Sequence, residues 1–365
     1  MNLSRNSKSK ISHIIFTSER FPIDSPGGRR VSHLIDKGLL NNLSSVLITL
    51  DIYKRSDIYK FPLTFNYKFL FVRGSFIIKF ILVLVSIVKF LVDLIYLFTF
   101  YKIKKVYIYS RFGIFTFIIS LIGKLYNSEI IIDCTEWYSY NQINGFINKL
   151  QEYIHRNFSM KLSDKFYTIS KNISKLIQNK YPSKKVFLIY PHSPIFIINL
   201  INSIVKKTIN EDKKIKTLIY AGSFKESDDP LLLLNNLIRL SKLIDFKLFI
   251  ISKTLVEKKI SKKLYGKINI LKNNLKNRFD IYGYLSNENY FKVIHLSDII
   301  LLPRSNYGYS KYNQPMRLYE YSLFNKKIIT ANIDEEYQKI SNNICLYDSE
   351  KKYSFFEIIY KALDQ

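Results

Sequence analysis

Short, nearly wholly apolar runs recur along this chain and alternate with helix-length segments, and that alternation constrains the fold more than any other feature. A continuous apolar run, unlike an alternating one, marks a strand buried on both faces, as in a parallel sheet covered by helices. In the first half these runs are Ser12–Thr17, Ser45–Leu50, Lys68–Val72, Lys105–Tyr109, Glu129–Asp133, Lys165–Ile169 and Val186–Tyr190. Helix candidates such as Arg29–Asn41, Phe112–Tyr126 and Phe146–Leu162 lie between them. The polar, lysine-rich stretch Ser203–Lys214 breaks the pattern. It restarts with Ile215–Ala221, Phe246–Ile251, Asp280–Gly283, Asp298–Leu302, Lys327–Thr330 and Asn343–Leu346. The expectation is α/β: two Rossmann-like, doubly wound parallel-sheet domains facing a central cleft. The first spans 1–202 and the second 215–365, with 203–214 as linker. A chain of 365 residues is long enough for each half to bury its own core.

Chemistry gathers where strands end. The apolar strand Asp298–Leu302 is closed by Pro303 and followed by Arg304, a loop, and a helix expected to open at Pro315, whose φ suits a first helical position. In an open parallel sheet this order puts the loop at the carboxyl edge, where ligands bind. Backbone N–H groups at a helix start favour an anion such as a diphosphate. Glu320, an acceptor-only carboxylate on that helix, suits the two hydroxyls of a ribose, and Arg317 lies three residues earlier. An exposed helix carboxylate is the other reading of Glu320, and a solvated surface charge the other reading of the cations.

Further segments repeat the strand-to-loop pattern. Gly27-Gly28-Arg29-Arg30 follows the first strand. The glycines permit close approach to a ligand, and two arginines at a helix start are unfavourable unless an anion is bound. Asp133 and Glu136 end a buried strand and suit orientation or deprotonation of a hydroxyl, or else Asp133 caps the next turn. Trp137 and Tyr138 suit stacking on a sugar or closing the core. His192 sits at a hinge, and Asp228-Asp229 before Pro230 reads as a helix start, not a metal site.

Taken in order over about 300 residues, these pieces resemble GT-B glycosyltransferases, in particular the family 4-like group. The resemblance rests on Pro22 to Arg30, Asp133 to Tyr138, Phe166 to Lys171, Leu188 to His192, Leu218 to Ser223 and Asp298 to Tyr321. It implies transfer of a sugar from a UDP- or GDP-activated donor to a surface polysaccharide or lipid-linked acceptor, with retention of configuration. It assigns Asp133 and Glu136 to catalysis. Gly222, Ser223, Lys225, Arg304, Pro315, Arg317 and Glu320 fall to the donor, and Gly27, Gly28, Arg29, Arg30 and Trp137 to the acceptor. The chain departs from the family where an arginine and a lysine usually grip the diphosphate: those places are Ser223 and Asp228. Tyr312 replaces the first Glu of the family's E-x7-E motif, and Thr135 stands where many relatives have histidine. Lys225, Arg304, Lys311 and Arg317 are the substitutes for the missing cations.

No Asp-x-Asp triplet or zinc-spaced Cys/His cluster occurs, so a metal-independent reaction without cofactor is expected. The net charge of +27 admits nucleic acid, an anionic membrane or a bias toward A/T-rich codons, which also favour the abundant Ile, Asn, Tyr and Phe. No nucleic-acid-binding signature accompanies the charge, so nucleic acid is not an expected partner. Phe76–Phe100 is apolar at spanning length, yet Lys89 and Asp93 would each cost about 2.5–3.5 kcal/mol at mid-bilayer. A crossover helix, buried or resting on an anionic bilayer beside Lys102, Lys104 and Lys105, is the better reading. Cys134 and Cys345 read as reduced thiols, and no secretion signal opens the chain, so the expected location is cytoplasmic, peripheral on the inner membrane face. A catalytically weakened partner subunit that binds nucleotide sugar or glycan, and a sugar-nucleotide epimerase, are the competing functions.

Overall fold

The computed structural model describes residues 11–19, 25–49, 58–67, 76–207, 215–305, 308–334, 336–351 and 353–364. It divides into two compact units, Met1–Pro194 with Tyr312–Gln314, and Ile195–Lys311 with Pro315–Gln365.

The first unit holds a seven-stranded parallel sheet: β1 (His13–Thr17), β2 (Ser45–Thr49), β3 (Leu63–Asn66), β4 (Lys105–Tyr109), β5 (Glu129–Cys134), β6 (Lys165–Thr168) and β7 (Lys185–Leu188). Their order is β3-β2-β1-β4-β5-β6-β7, so the winding direction reverses between β1 and β4. Every residue of β2 is buried, as expected of a strand covered on both faces. The expected strand Lys68–Val72 lies outside the described residues, and the edge position is filled by β3, with Val46 opposite Leu63. Its sequence, Leu-Thr-Phe-Asn, alternates and so lacks the continuous apolar run sought.

Four helices of this unit bear on function: α1 (Pro26–Asp36), α2 (Phe76–Phe100), α3 (Gly113–Leu125) and α4 (Phe146–Ile154). Helix α1 starts three residues before the expected Arg29, because Ser25 caps it by accepting from the Gly28 N–H at 3.0 Å and Pro26 takes a first-turn position. The glycine pair is therefore helical, and the expectation of a glycine loop is corrected. Space is the constraint at Gly27: an added Cβ would lie 2.3 Å from Glu19 Cγ and 2.5 Å from Tyr109 Cε1. The expected helix Phe146–Leu162 is interrupted by a π turn at His155–Ser159 before a last turn, Met160–Leu162.

Helix α2 turns Phe90, Leu94, Leu97 and Phe98 into the core while Val88, Val92, Ile95 and Phe100 remain exposed. Asp93 accepts from the Tyr67 hydroxyl at 2.5 Å, and Lys89 lies 5.8 Å from the centre of the same ring. No helix among the described residues is long and apolar enough to cross a membrane.

The second unit holds a six-stranded parallel sheet: β8 (Thr217–Ala221), β9 (Lys247–Ile251), β10 (Phe279–Tyr282), β11 (Ile299–Leu302), β12 (Lys327–Ala331) and β13 (Ile344–Tyr347). The order β10-β9-β8-β11-β12-β13 reverses between β8 and β11. A core of its own, centred on Leu218, Leu234, Leu248, Leu301 and Ile329, fills this unit. Helix α5 (Ile195–Lys207) belongs to it, so Ser203–Lys207, expected in the linker, are helical, and 208–214 lie outside the described residues. Helices α6 (Pro230–Leu240), α7 (Asn287–His295) and α8 (Met316–Ser322) flank the sheet.

Candidate active site

In the first unit a cavity of about 490 Å³ opens at the carboxyl edge, where β1, β4 and β5 end around the switch in winding, the position at which α/β sheets bind ligands. Ser18 and Glu19 follow β1, Gly27 comes from α1, Arg111 follows β4, and Thr135 to Tyr138 follow β5. Gln151, Glu152, His155 and Arg156 reach the cavity from α4 and the π turn, a deviation that often re-aims side chains at functional sites.

Two arginines share one buried carboxylate here. Arg111 donates from Nη2 and Nε to Glu152 Oε2 at 2.5 and 3.1 Å, and Arg156 donates from Nε to Oε1 at 2.5 Å. Burial opposes ionisation of Glu152, but Arg111 and Arg156 outweigh it and hold its pKa below the usual carboxylate value. Arg111 also reaches Glu136 Oε2 at 3.5 Å, where the Tyr138 hydroxyl donates at 2.9 Å. The Arg111 guanidinium lies 4.2 Å from the Tyr138 ring centre, and that of Arg156 lies 4.2 Å from Trp137. Burial lowers the His155 pKa to about 4, so this imidazole is neutral at pH 7.

The expected residues are divided by this arrangement. Glu136 is on the cavity, its side chain 37% exposed. Asp133 is not placed as a general base: its side chain is 0% exposed. It accepts from Arg30 Nε at 3.0 Å and from the Tyr107 hydroxyl at 2.5 Å. Arg30 completes its bonding on the Ile189 carbonyl at 2.8 Å, so the anion that offsets this cation at a helix start is Asp133 itself. Arg29 is half-buried on α1, Trp137 lines the cavity, and Thr135 donates to the Tyr109 hydroxyl at 3.2 Å. His192 stacks on His33 with ring centres 5.5 Å apart. Arg111, Glu152, His155 and Arg156 were missed from sequence. Arg111 carried a usable signal, a cation directly after a buried strand.

The second unit gathers charge at its own switch point. Arg304 follows β11 and is only 4% exposed, and its backbone N–H donates to the Tyr347 hydroxyl at 3.0 Å. Arg317, on α8, donates to the carbonyl of Ala221 at the end of β8. Between them lies Asp228, 3.4 Å from Arg317 Nη2 and 3.9 Å from Arg304 Nη1, and taking a 3.1 Å hydrogen bond from the Tyr220 hydroxyl. Burial opposes the Arg317 charge, but Tyr321 and Asp228 reverse that and push its pKa up. Gly222 leaves room for this cluster, since an added Cβ would lie 2.2 Å from Tyr220 Oη and 2.8 Å from Asp228 Oδ2. Asp229 caps α6 by accepting from the Leu232 N–H at 3.2 Å. Glu320 is buried one turn beyond Arg317, beside the hydrogen-bonded pair Tyr290 and Tyr321. Ser223 and Lys225 lie in the loop after β8, with Lys225 and Lys311 exposed. Pro315 is the cap of α8 instead of its first residue, and the helix runs for seven residues. Among the described residues no three His, Cys, Asp or Glu side chains come together as a metal site. Both cysteines are free thiols.

No family model matches the chain, and no curated protein matches it in sequence. Solved structures match it in fold. Anabaena HepE in complex with UDP is 12% identical with a TM-score of 0.65, over 97% of this chain and 90% of HepE. Sucrose-phosphate synthase from Thermosynechococcus elongatus is 9% identical with a TM-score of 0.67, over 97% and 90%. A candidate UDP-N-acetylglucosamine 2-epimerase from Listeria monocytogenes is 10% identical with a TM-score of 0.60, over 98% and 89%. The two parallel-sheet α/β domains are those of GT-B glycosyltransferase structures.

Proposed function

We propose that this protein transfers a sugar from a UDP- or GDP-sugar to a surface-polysaccharide or lipid-linked acceptor, with retention and without a metal ion. The observation that carries the reading is the convergence of Arg304 and Arg317 on Asp228 at the carboxyl edge of the six-stranded sheet, with Glu320 one turn beyond Arg317 on α8. The arginines are suited to a departing diphosphate and Glu320 to a ribose. HepE, which shares the fold, was crystallised with UDP, and this supports a nucleotide-sugar donor. The acceptor belongs to the first unit, where Glu136 would orient or deprotonate its hydroxyl. Cytoplasmic location and contact with an anionic membrane face complete the reading, supported by exposed apolar residues on α2 and α4.

Calorimetry with a panel of UDP- and GDP-sugars tests the donor, and failure of every member to bind overturns the proposal. Activity is expected to survive excess EDTA. Loss on chelation, restored by manganese or magnesium, would remove the metal-free step. One observation favours a second reading, a partner subunit that binds without turnover: Asp228 already occupies both arginines. Donor hydrolysis by the purified protein separates the two.

A further inference from the structure

The loop that follows β8 is acidic in a strongly basic chain. Lysine and arginine number 56 against 29 acidic residues, yet Glu226, Asp228 and Asp229 crowd together beside a single cation, Lys225. Glu226 is exposed and Asp229 caps α6, so neither needs further explanation. Asp228 is buried, and its surroundings are shaped to hold it there. Its Oδ1 lies 3.4 Å from Arg317 Nη2 and 3.9 Å from Arg304 Nη1, and its Oδ2 accepts from the Tyr220 hydroxyl at 3.1 Å. Gly222 has no Cβ to press on Oδ2, which one would approach to 2.8 Å. The Ser305 N–H donates to the Ser227 carbonyl at 3.1 Å and ties the loop to the end of β11. Phe224 and Asp229 adopt left-handed backbone, φ 54° and 37°, unfavourable for residues other than glycine. The loop accepts that strain to reach this position.

The electrostatic consequence falls on Arg317. The side chains of Arg304 and Asp228 are each 4% exposed, whereas Arg317 keeps 30%, so an anion arriving from solvent meets Arg317 first. Behind it Asp228 offsets one of the two guanidinium charges, at short range and with little solvent to screen it. Glu320, one turn further along α8, adds another carboxylate to this neighbourhood. We infer that Asp228 governs how tightly this site holds phosphate groups: it subtracts one of the two arginine charges and leaves a free nucleoside diphosphate weakly held. The inference deepens the proposed function, resting on it for the nucleotide but not for the anion.

Asp228→Asn keeps the shape of the side chain and an oxygen for the Tyr220 hydroxyl. Calorimetry on the full-length native protein and this variant uses pyrophosphate, UDP, GDP and the nucleosides uridine and guanosine. Loss of the carboxylate charge beside Arg317 should tighten pyrophosphate, and UDP or GDP, about tenfold, and leave the nucleosides unchanged. The unliganded variant should melt at a lower temperature, because the arginines lose their counter-ion, while pyrophosphate lifts its melting temperature further than that of the native protein. A residue that only orients the arginines would have the reverse effect on the ligand. Equal or weaker anion binding by a folded variant, or a gain that the nucleosides share, overturns the inference. If Asp228→Asn does not fold, Ser223→Arg adds a cation at a half-buried position of the same loop and must tighten pyrophosphate; no gain there overturns the inference as well. Pyrophosphate bound more tightly, with no nucleotide bound by any of these proteins, removes the nucleotide-sugar reading and keeps the role of Asp228. UDP or GDP bound by the native protein, and no more tightly by the variants, removes that role alone. Binding of no anion by any of them removes both.

Discussion

Asp228 stands where the resemblance leads one to expect a lysine, and its neighbours absorb the reversal of charge. Arg304 and Arg317 converge on it, and Gly222 makes the space for it. What remains of that cluster is one positive charge, with Glu320 beyond it as the candidate ribose ligand. Glu320→Gln keeps the shape of the buried side chain and removes its charge, so it should weaken UDP or GDP binding roughly tenfold, following about 1.5–3 kcal/mol for a charged hydrogen bond. Unchanged affinity in calorimetry, with an unaltered circular dichroism spectrum, takes Glu320 out of the site. Arg304 was legible in the sequence because it follows an apolar strand closed by a proline and leads into the helix of Arg317 and Glu320. Arg111 occupies the same kind of position after β4 without a motif around it. Glu152 and Arg156 read as an ordinary surface pair four residues apart. Only packing shows that pair to be buried and shared with Arg111.

Strands were legible to within a residue or two wherever both faces are covered, because burial on two sides leaves a continuous apolar run. The edge strand β3 escaped for the converse reason, and the π turn escaped because nothing in residues 155–159 breaks a helical pattern. The helices carry a feature that periodicity hinted at for α2 alone. Phe146, Ile147, Leu150 and Tyr153 on α4 are exposed, Phe146 to 80%, and so are Leu121 and Leu125 on α3. Ring contacts join these helices: Phe98 with Tyr126 at 5.3 Å, and Phe117 with Phe158 at 5.6 Å. Exposed apolar side chains on adjoining helices are the kind of surface that the proposed membrane contact requires. Lys102, Lys104 and Lys105 are exposed just beyond α2, and each lysine contributes about 1 kcal/mol near an anionic leaflet. The protein should float with anionic liposomes at low salt, release partly at high salt, and ignore neutral vesicles. Val92→Ser with Phe146→Ser should weaken the salt-resistant part. Failure to bind anionic vesicles at low salt would leave these helices as plain surface and the charge as a matter of codon usage.

Acid should act unevenly on the molecule. Burial first, and Arg30 second, lower the His33 pKa to about 3, and burial lowers that of His155 to about 4. An unfolded histidine titrates near 6.5, so below that pH the unfolded chain binds protons that the native one refuses, and stability falls as pH falls. By pH 5.5 each imidazole should have cost about 1 kcal/mol, and both lie in the first unit. An unfolding temperature unchanged between pH 7.5 and 5.5 would contradict this. The two cores share no residue, and each candidate site is built within one unit: the cavity in the first, the arginine cluster in the second. Such halves melt on their own schedules. A calorimetric scan should resolve two endotherms, acid lowering one and UDP lifting the other, since a ligand protects only what must unfold to release it. The protein would then be legible as two instruments on one string, each tuned by its own small molecule, and either half could be silenced while the other still sounds.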